Sequence, residues 1–305
     1  MQELVVISGK GGTGKTSLVG SFAALAERAV LADCDVDAAD LHLLLDPQVR
    51  ETHDFVGGKI ASIVSGKCIG CGRCKELCNF DALRFNGPAN DVVGKTYAVD
   101  PIACEGCGVC AAFCPVEAID FHDAVNGRWF RSETRFGPML HAKLGIAEEN
   151  SGKLVSLLRK QAKQVAEEQG RELIIVDGSP GIGCPVIASI SGADLVLAVT
   201  EPTLSGQHDL ERVADLTAHF GIPAMVCVNK WDINPQIADR IEESAGKRGL
   251  QTAGRIAYDA SVTKAQVAGK SVVEHCDEPL RGQIVSVWQT ALAALKTATD
   301  AGSTV

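Results

Sequence analysis

The sequence predicts an α/β fold, a doubly wound and mostly parallel sheet, interrupted by a smaller cysteine-rich domain. Three observations carry this expectation. An apolar run at the start of the chain, Leu4 to Ile7, leads through a glycine-rich loop into a segment of helical period. Short β-favouring runs then alternate with helical segments over most of the remaining chain, the pattern of parallel βαβ units. Between the early and late alternating stretches lies a region dense in Cys and Gly in which one pattern occurs twice.

Taken in order, the first strand spans Leu4 to Ser8, and a helix follows from about Lys15 to Arg28. A second strand covers Ala29 to Ala32, and a helix is expected to begin near Asp37. The alternation then pauses. It resumes with a long amphipathic stretch from about Asn150 to Gln169 and a strand from Glu172 to Val176. A strand Asp194 to Val199, a helix Gln207 to His219 and a strand Pro223 to Val228 complete the reading. Residues 1–59 and 124–305 are thus read as a host domain, with 60–123 inserted into one of its loops. Residues from about Ala124 to Glu149 read as a return segment, with a weak strand signal at Trp129 to Thr134.

Composition narrows the function classes. No apolar run approaches the roughly 20 residues that a membrane helix needs. The first apolar run passes directly into the glycine loop, with no basic stretch or small-residue cleavage site before it, so a cytoplasmic protein is expected. The formal charge of −9, from 38 acidic and 29 basic residues, repels polyphosphate backbones and disfavours nucleic acid as a partner. Twelve cysteines in a reducing compartment point to metal in preference to disulfides.

Their spacing agrees. C-x-x-C-x-x-C-x-x-x-C occurs at Cys68, Cys71, Cys74 and Cys78, and again at Cys104, Cys107, Cys110 and Cys114, 36 positions along. Three closely spaced thiolates can wrap one cubane cluster while the fourth reaches across to the other. Cys68, Cys71, Cys74 and Cys114 are therefore assigned to a first [4Fe–4S] cluster. Cys104, Cys107, Cys110 and Cys78 are assigned to a second. Glycines 70, 72, 106 and 108 supply the backbone freedom that tight turns around a cluster require. A pair of structural zinc sites is the alternative reading. The stretch resembles the bacterial two-cluster ferredoxins, with one departure: Cys114 precedes Pro115, whereas Cys78 precedes Asn79, a change that could alter the turn or hydrogen bonding near one cluster.

The glycine loop, Gly9, Lys10, Gly11, Gly12, Thr13, Gly14, Lys15 and Thr16, followed by Ser17, fits G-x-x-x-x-G-K-[ST] in its required context between a strand and a helix. Its N–H groups and the helix N-terminus would cradle phosphate, with Lys15 on the β- and γ-phosphates and Thr16 on Mg²⁺. The additional Lys10 makes the loop resemble the deviant Walker motif of the MinD, ParA and nitrogenase iron-protein class. That resemblance implies a dimer with nucleotide at its interface and Lys10 reaching the partner subunit's phosphates. A solvated loop cation is the plainer reading of Lys10.

Other stretches fit the same resemblance. In "VLADCDVDAAD", Asp33, Asp35 and Asp37 fall where the class has its first switch, and Asp35 is the candidate to orient the attacking water. Asp33 and Asp37 read equally as helix caps. "LIIVDGSPGIG" places Asp177 as the Walker B aspartate, holding Mg²⁺ through water, with Gly181 in the second switch. "VNKWD" brings Asn229 and Lys230 to a strand end. It is similar to the guanine-reading motif of GTPases, but the class resembled here generally uses ATP with an asparagine at this place. Cys184 lies seven residues after Asp177, where the nitrogenase iron protein has a cluster ligand, but a packed or reactive thiol is the favoured reading. Cys34, Cys227 and Cys276 have no ligand spacing, and His141 reads as structural or as a signalling residue.

As a whole the chain is similar to MinD-superfamily P-loop ATPases with an inserted ferredoxin domain. The resemblance implies ATP, Mg²⁺ and two [4Fe–4S] clusters as cofactors. It also implies a homodimer, or a heterodimer with a paralogous ATPase, and a redox or metallocofactor client protein. Three functions are expected in descending order: nucleotide-gated electron transfer, ATP-dependent metallocofactor or iron–sulfur cluster assembly, and spatial regulation in the manner of MinD and ParA. The C-terminal stretch "VWQTALAALKTATDAGSTV" has a single lysine, Lys296, and reads as a packing helix, not as the basic amphipathic helix that membrane cycling needs.

Overall fold

A computed structural model describes residues 1–145 and 151–302, with side chains as far as residue 297. Contacts divide the chain into two compact units: Met1–His53, Trp129–Lys143 and Ser151–Val305 form the first, Asp54–Arg128 and Leu144–Asn150 the second.

The chain opens with β1 (Gln2–Ser8), α1 (Lys15–Leu25), β2 (Ala29–Asp33) and α2 (Leu41–Leu45). α1 ends three residues before the predicted Arg28, because Ala26 is already extended on the way into β2. α2 starts four residues after the predicted Asp37. Asp33 explains the delay. Its carboxylate accepts the N–H groups of Asp35 and Leu41, which holds residues 34–40 as a loop and starts the helix at Leu41. The chain continues through β3 (Gln48–Ile63), α3 (Arg73–Leu77), β4 (Leu83–Gly87), β5 (Thr96–Val99), α4 (Val109–Ala112), β6 (Ile119–Thr134) and β7 (Gly137–Leu144). It finishes with α5 (Ser151–Glu168), β8 (Leu173–Pro180), α6 (Cys184–Ile190), β9 (Leu195–Thr200), α7 (Leu204–His219), β10 (Ala224–Asn229), α8 (Pro235–Lys247), β11 (Gln251–Ile256), α9 (Ser261–Val267), α10 (Val272–His275) and α11 (Leu280–Gly302). Glu149 and Asn150, which bound the predicted return segment and long helix, lie outside the described residues.

The strand order of the main sheet is β11-β10-β9-β1-β8-β2-β7-β6-β3. Within the first unit β1 pairs in parallel with β8 and β9, β10 with β9 and β11, and β2 with β8 and β7. The central strands β1, β8, β9 and β10 are largely apolar because both faces are covered, whereas β11 at the sheet edge carries the exposed Gln251 and Thr252. Leu4, Val5, Val6 and Ile7 have no exposed surface at all. α1 packs on β1 and β8, α11 on β9 and β11, and α5 on β2 and β8. Phe22 and Trp288, with ring centroids 4.8 Å apart, join α1 to α11 in an extended apolar cluster. All the parallel strands end on one edge of the sheet, which gathers their C-terminal loops.

The predicted return segment is corrected in extent: its weak strand signal at Trp129–Thr134 falls inside β6, which is much longer. Residues 119–134 and 137–144 are full strands with a tight turn between them, Thr134 Oγ1 donating to the Gly137 carbonyl, and β7 extends the sheet beside β2. Asp120, His122, Asp123, Val125 and Arg128 are the exposed positions of β6 and follow no strict alternation, which weakens the strand signal in the sequence. His141 on β7 bonds Ser132 at 2.8 Å and stacks on Phe130, and burial lowers its pKa to about 4.

In the second unit β4 and β5 form an antiparallel pair, and α3 packs on α4. No described helix is long and apolar enough to cross a membrane.

Candidate functional site

The phosphate loop leaves β1 at Ser8, whose hydroxyl donates to the Lys10 carbonyl at 2.8 Å. Gly12 and Gly14 take the left-handed conformation, with φ of +79° and +91°. A side chain at Gly14 would meet the Asn229 amide at 2.3 Å, so glycine is required there twice over. α1 begins immediately after, with no side-chain cap. Its first N–H groups are left for an anion.

Lys15 is buried at the centre of this site. Its ammonium lies 2.5 Å from Asp177 Oδ1 and 3.2 Å from Asp35 Oδ2. Burial opposes the lysine's charge, but the two carboxylates outweigh it and its pKa is raised. Burial, then the charge of Asp177, pushes the Asp33 carboxyl well above the usual carboxylate range. Burial also raises Asp35, with Lys15 working in the opposite direction. Three buried oxygens here have no hydrogen-bond partner: Thr13 Oγ1, Asp35 Oδ1 and Asp177 Oδ2. Orphaned acceptors in a buried position are costly unless something completes them. A hydrated Mg²⁺ and a phosphate chain are groups that would do so, and the donor set fits them.

Beside the loop, a cavity of about 200 Å³ is lined by Gly12, Gly14, Asn229, Lys230, Tyr258 and Gln266 among others. Asn229 braces the loop: its amide donates to the Thr13 carbonyl at 2.7 Å, and its oxygen accepts the Lys230 N–H at 3.0 Å. Lys230 donates to the Gly12 carbonyl at 3.0 Å. The ammonium of Lys10 lies 2.6 Å from Glu201 and also reaches Ser205 and Thr203. Tyr258, Asp259 and Gln266 escaped the sequence reading: they match no motif and follow a strand, β11, that the sequence does not announce. Glu201 escaped too, because a lone glutamate at a strand end matches no motif. Asp37 is exposed, and Asp33 serves the loop and α2 as described.

In the second unit the two cysteine repeats fold alike. Gly70 and Gly72 take φ of +68° and +79°, and Gly106 and Gly108, 36 positions along, take +61° and +75°. Asp81 and Glu117, at the same offset, are both left-handed at +51° and +50°. Cys78 Sγ accepts the Ala82 N–H at 3.4 Å and Cys114 Sγ accepts the Ala118 N–H at 3.3 Å. The N–H···S bond is thus common to the Cys78-Asn79 and Cys114-Pro115 copies, although α3 runs one residue further than α4 at matching positions. Cys68, Cys71, Cys74 and Cys114 line one small cavity with Ile63, Ile119 and Tyr97. Burial pushes the Cys110 thiol up, and its cysteine neighbours Cys104, Cys107 and Cys78 add to this. Cys110 lies near Cys74 as well. Among the described residues no three His, Cys, Asp or Glu side chains are grouped as ligands of one metal ion. Cys184 is exposed, and Cys34, Cys227 and Cys276 are buried.

A parallel sheet whose first strand passes through a glycine loop into a helix, with a buried lysine facing two strand-end carboxylates, defines a P-loop nucleotide-binding protein. The chain belongs to the CobQ/CobB/MinD/ParA nucleotide-binding family, whose domain model matches residues 4–272. Uncharacterized protein MJ0578 of Methanocaldococcus jannaschii is 34% identical over 237 residues, 77% of this chain and 80% of that protein. Uncharacterized protein MJ0579 of the same organism is 26% identical over 284 residues, 91% and 94% of the two chains. Among solved structures, the cell division ATPase MinD of Pyrococcus furiosus superposes with a TM-score of 0.56 at 15% identity, covering 96% of this chain and 98% of that one. MinD of Pyrococcus horikoshii, complexed with Mg-ADP, gives 0.57 at 14% identity, covering 97% and 98%. At these identities the likeness is one of fold.

Proposed function

We propose that the protein is an ATP-binding and ATP-hydrolysing dimeric switch that couples its nucleotide state to electron transfer to a protein client through two [4Fe–4S] clusters. The observation that carries this reading is the conjunction, in one chain, of a phosphate loop with orphaned buried oxygens and a duplicated cysteine fold repeating backbone and N–H···S geometry 36 positions apart. N–H groups aimed at sulfur are the contacts that tune such clusters.

In this reading Lys15 and the α1 N–H groups hold the phosphates, Thr16 and Asp177 hold Mg²⁺, and Asp35 orients the attacking water. Lys10 reaches the partner subunit's nucleotide, and Gly9–Ser17 with Asn229 and Lys230 form the walls of the ATP site. Cys68, Cys71, Cys74 and Cys114 hold one cluster, Cys104, Cys107, Cys110 and Cys78 the other. When bound, the clusters supply one-electron transfer. The coupling element is the segment from Asp33 at the end of β2, past Asp35 and through α2, into β3, along which the chain passes into the second unit.

The test compares wild type with Lys10→Ala, anaerobically, for ATP turnover and for the EPR spectrum of the reduced clusters in ADP and nonhydrolysable-analogue states. Cluster signals that shift with nucleotide, and lose both shift and turnover in Lys10→Ala, are expected. Turnover without any cluster response would replace electron transfer by metallocofactor assembly. The fold shared with MinD supports spatial regulation as a second reading; it leaves the duplicated cysteine fold without a role, and absence of bound iron after anaerobic reconstitution would favour it.

A further inference from the structure

Lysine has three N–H donors, and those of Lys10 match three acceptors in this structure. Its Nζ lies 2.6 Å from Glu201 Oε1, 3.0 Å from Ser205 Oγ and 3.3 Å from Thr203 Oγ1. All three acceptors belong to the corner between β9 and α7. Lys10 in this arrangement has no donor to offer a phosphate; it must first leave that corner. Glu201 has a second cation, for its other oxygen lies 3.3 Å from Lys230 Nζ, which in turn holds the Gly12 carbonyl. α7 itself runs close to the start of the loop, where a Cβ added to Gly9 would sit 2.3 Å from Asp209 Cβ.

We propose that Glu201 is a positioning residue that holds Lys10 in reserve, so that the nucleotide concentration at which two chains close is set by competition between Glu201 and phosphate for this ammonium. The exposure of the pair suits a latch better than a lock. With side-chain exposures of 31% for Lys10 and 19% for Glu201, water screens the pair and replaces it readily on release. Lys15, whose ammonium is buried between Asp35 and Asp177, has no such freedom. Thr203 and Ser205 keep the displaced lysine close, since Thr203 is itself fixed as the α7 cap by accepting the Gly206 N–H. Lys10 and Lys230 hold the Glu201 carboxyl below its ordinary range against the effect of burial, so the latch is charged at neutral pH.

This inference rests on the dimeric reading above, and the experiment separates the two. Full-length wild type, Glu201→Gln and Ser205→Ala are labelled with an amine-acylating reagent, and the rate at Lys10 is read by mass spectrometry against exposed Lys247. Dimerisation is followed by light scattering against a nonhydrolysable ATP analogue. Losing the charged acceptor should raise Lys10 labelling and lower the half-dimerisation concentration by about two- to fivefold, the range for a partly exposed ion pair. Ser205→Ala, at an exposed position, should move both in the same direction by less. Unchanged Lys10 labelling in Glu201→Gln, or a half-dimerisation point that stays or rises, would overturn the proposal. If wild type labels at Lys10 as expected but no analogue dimerises it, the dimeric reading fails while the labelling comparison still decides whether Glu201 holds the lysine.

Discussion

Replacing Lys15 by methionine isolates the electrostatic balance of the phosphate site without nucleotide. The substitution keeps the stem and removes the ammonium that faces Asp35 and Asp177, which are buried with Asp33 alongside. Removing one partner of a buried ion pair costs about 3–5 kcal/mol. A second route bounds the loss: the variant can relieve its unpaired charge by binding one proton. At 1.36 kcal/mol per unit and an ordinary Asp pKa of about 3.9, that proton costs about 5 kcal/mol at about pH 7.5 and about 2 kcal/mol at about pH 5.5. The folded variant binds a proton that the unfolded chain does not, so its stability rises as pH falls. The difference from wild type in urea unfolding, at a common m-value, should therefore shrink by about 1.4 kcal/mol per pH unit across this window. A loss under about 1 kcal/mol at about pH 7.5, or one that ignores pH, would refute the reasoning.

In the two-cluster function proposed above, Cys114→Ser should remove about half of the iron that anaerobic reconstitution incorporates, because one of the two proposed cubanes would lose a ligand, whereas Cys184→Ser should leave the iron content intact. Gly106→Ala should destabilise the second unit more than Gly108→Ala. Both add the roughly 1–2 kcal/mol cost of a left-handed alanine, but the Cβ at 106 meets the Lys59 carbonyl at 2.0 Å and that at 108 meets only the Phe121 ring at 3.4 Å; hydrogen exchange within Asp54–Arg128 reads the difference. Asn229→Ala frees the Thr13 carbonyl, so nucleotide affinity should fall on the order of tenfold, the weight of about one hydrogen bond, by titration calorimetry. His141, depressed to about 4 by burial, binds its proton more readily unfolded. Its contribution should be lost as pH falls from about 6.5 through about 4, and His141→Asn should flatten that part of the stability curve relative to wild type.

What was legible in the sequence was whatever is encoded locally. The glycine loop declares itself because Gly12 and Gly14 must be left-handed and a strand and a helix must flank them. The cysteine repeat declares itself because ligand spacing along a chain survives folding unchanged. The apolar runs of β1, β8, β9 and β10 show because those strands are buried on both faces. The long strand β3 did not show, and β6 showed only weakly over Trp129–Thr134, since their charged and half-exposed residues carry no core periodicity. Nor did the start of α2, which a carboxylate eight positions back decides.

The sequence by itself determined the parallel α/β class, the phosphate loop and the two groups of four cysteines. Only the tertiary structure decided which partners those groups meet. Asp177 and Lys15 are far apart along the chain yet 2.5 Å apart at one end of adjacent parallel strands. Lys10 meets Glu201, and Asn229 meets Thr13, for the same reason: β1, β9 and β10 run side by side, and their ends deliver remote residues to one edge. Spacing along a chain cannot encode such encounters, because strand order is fixed by the burial of whole faces and not by the residues that the order finally brings together.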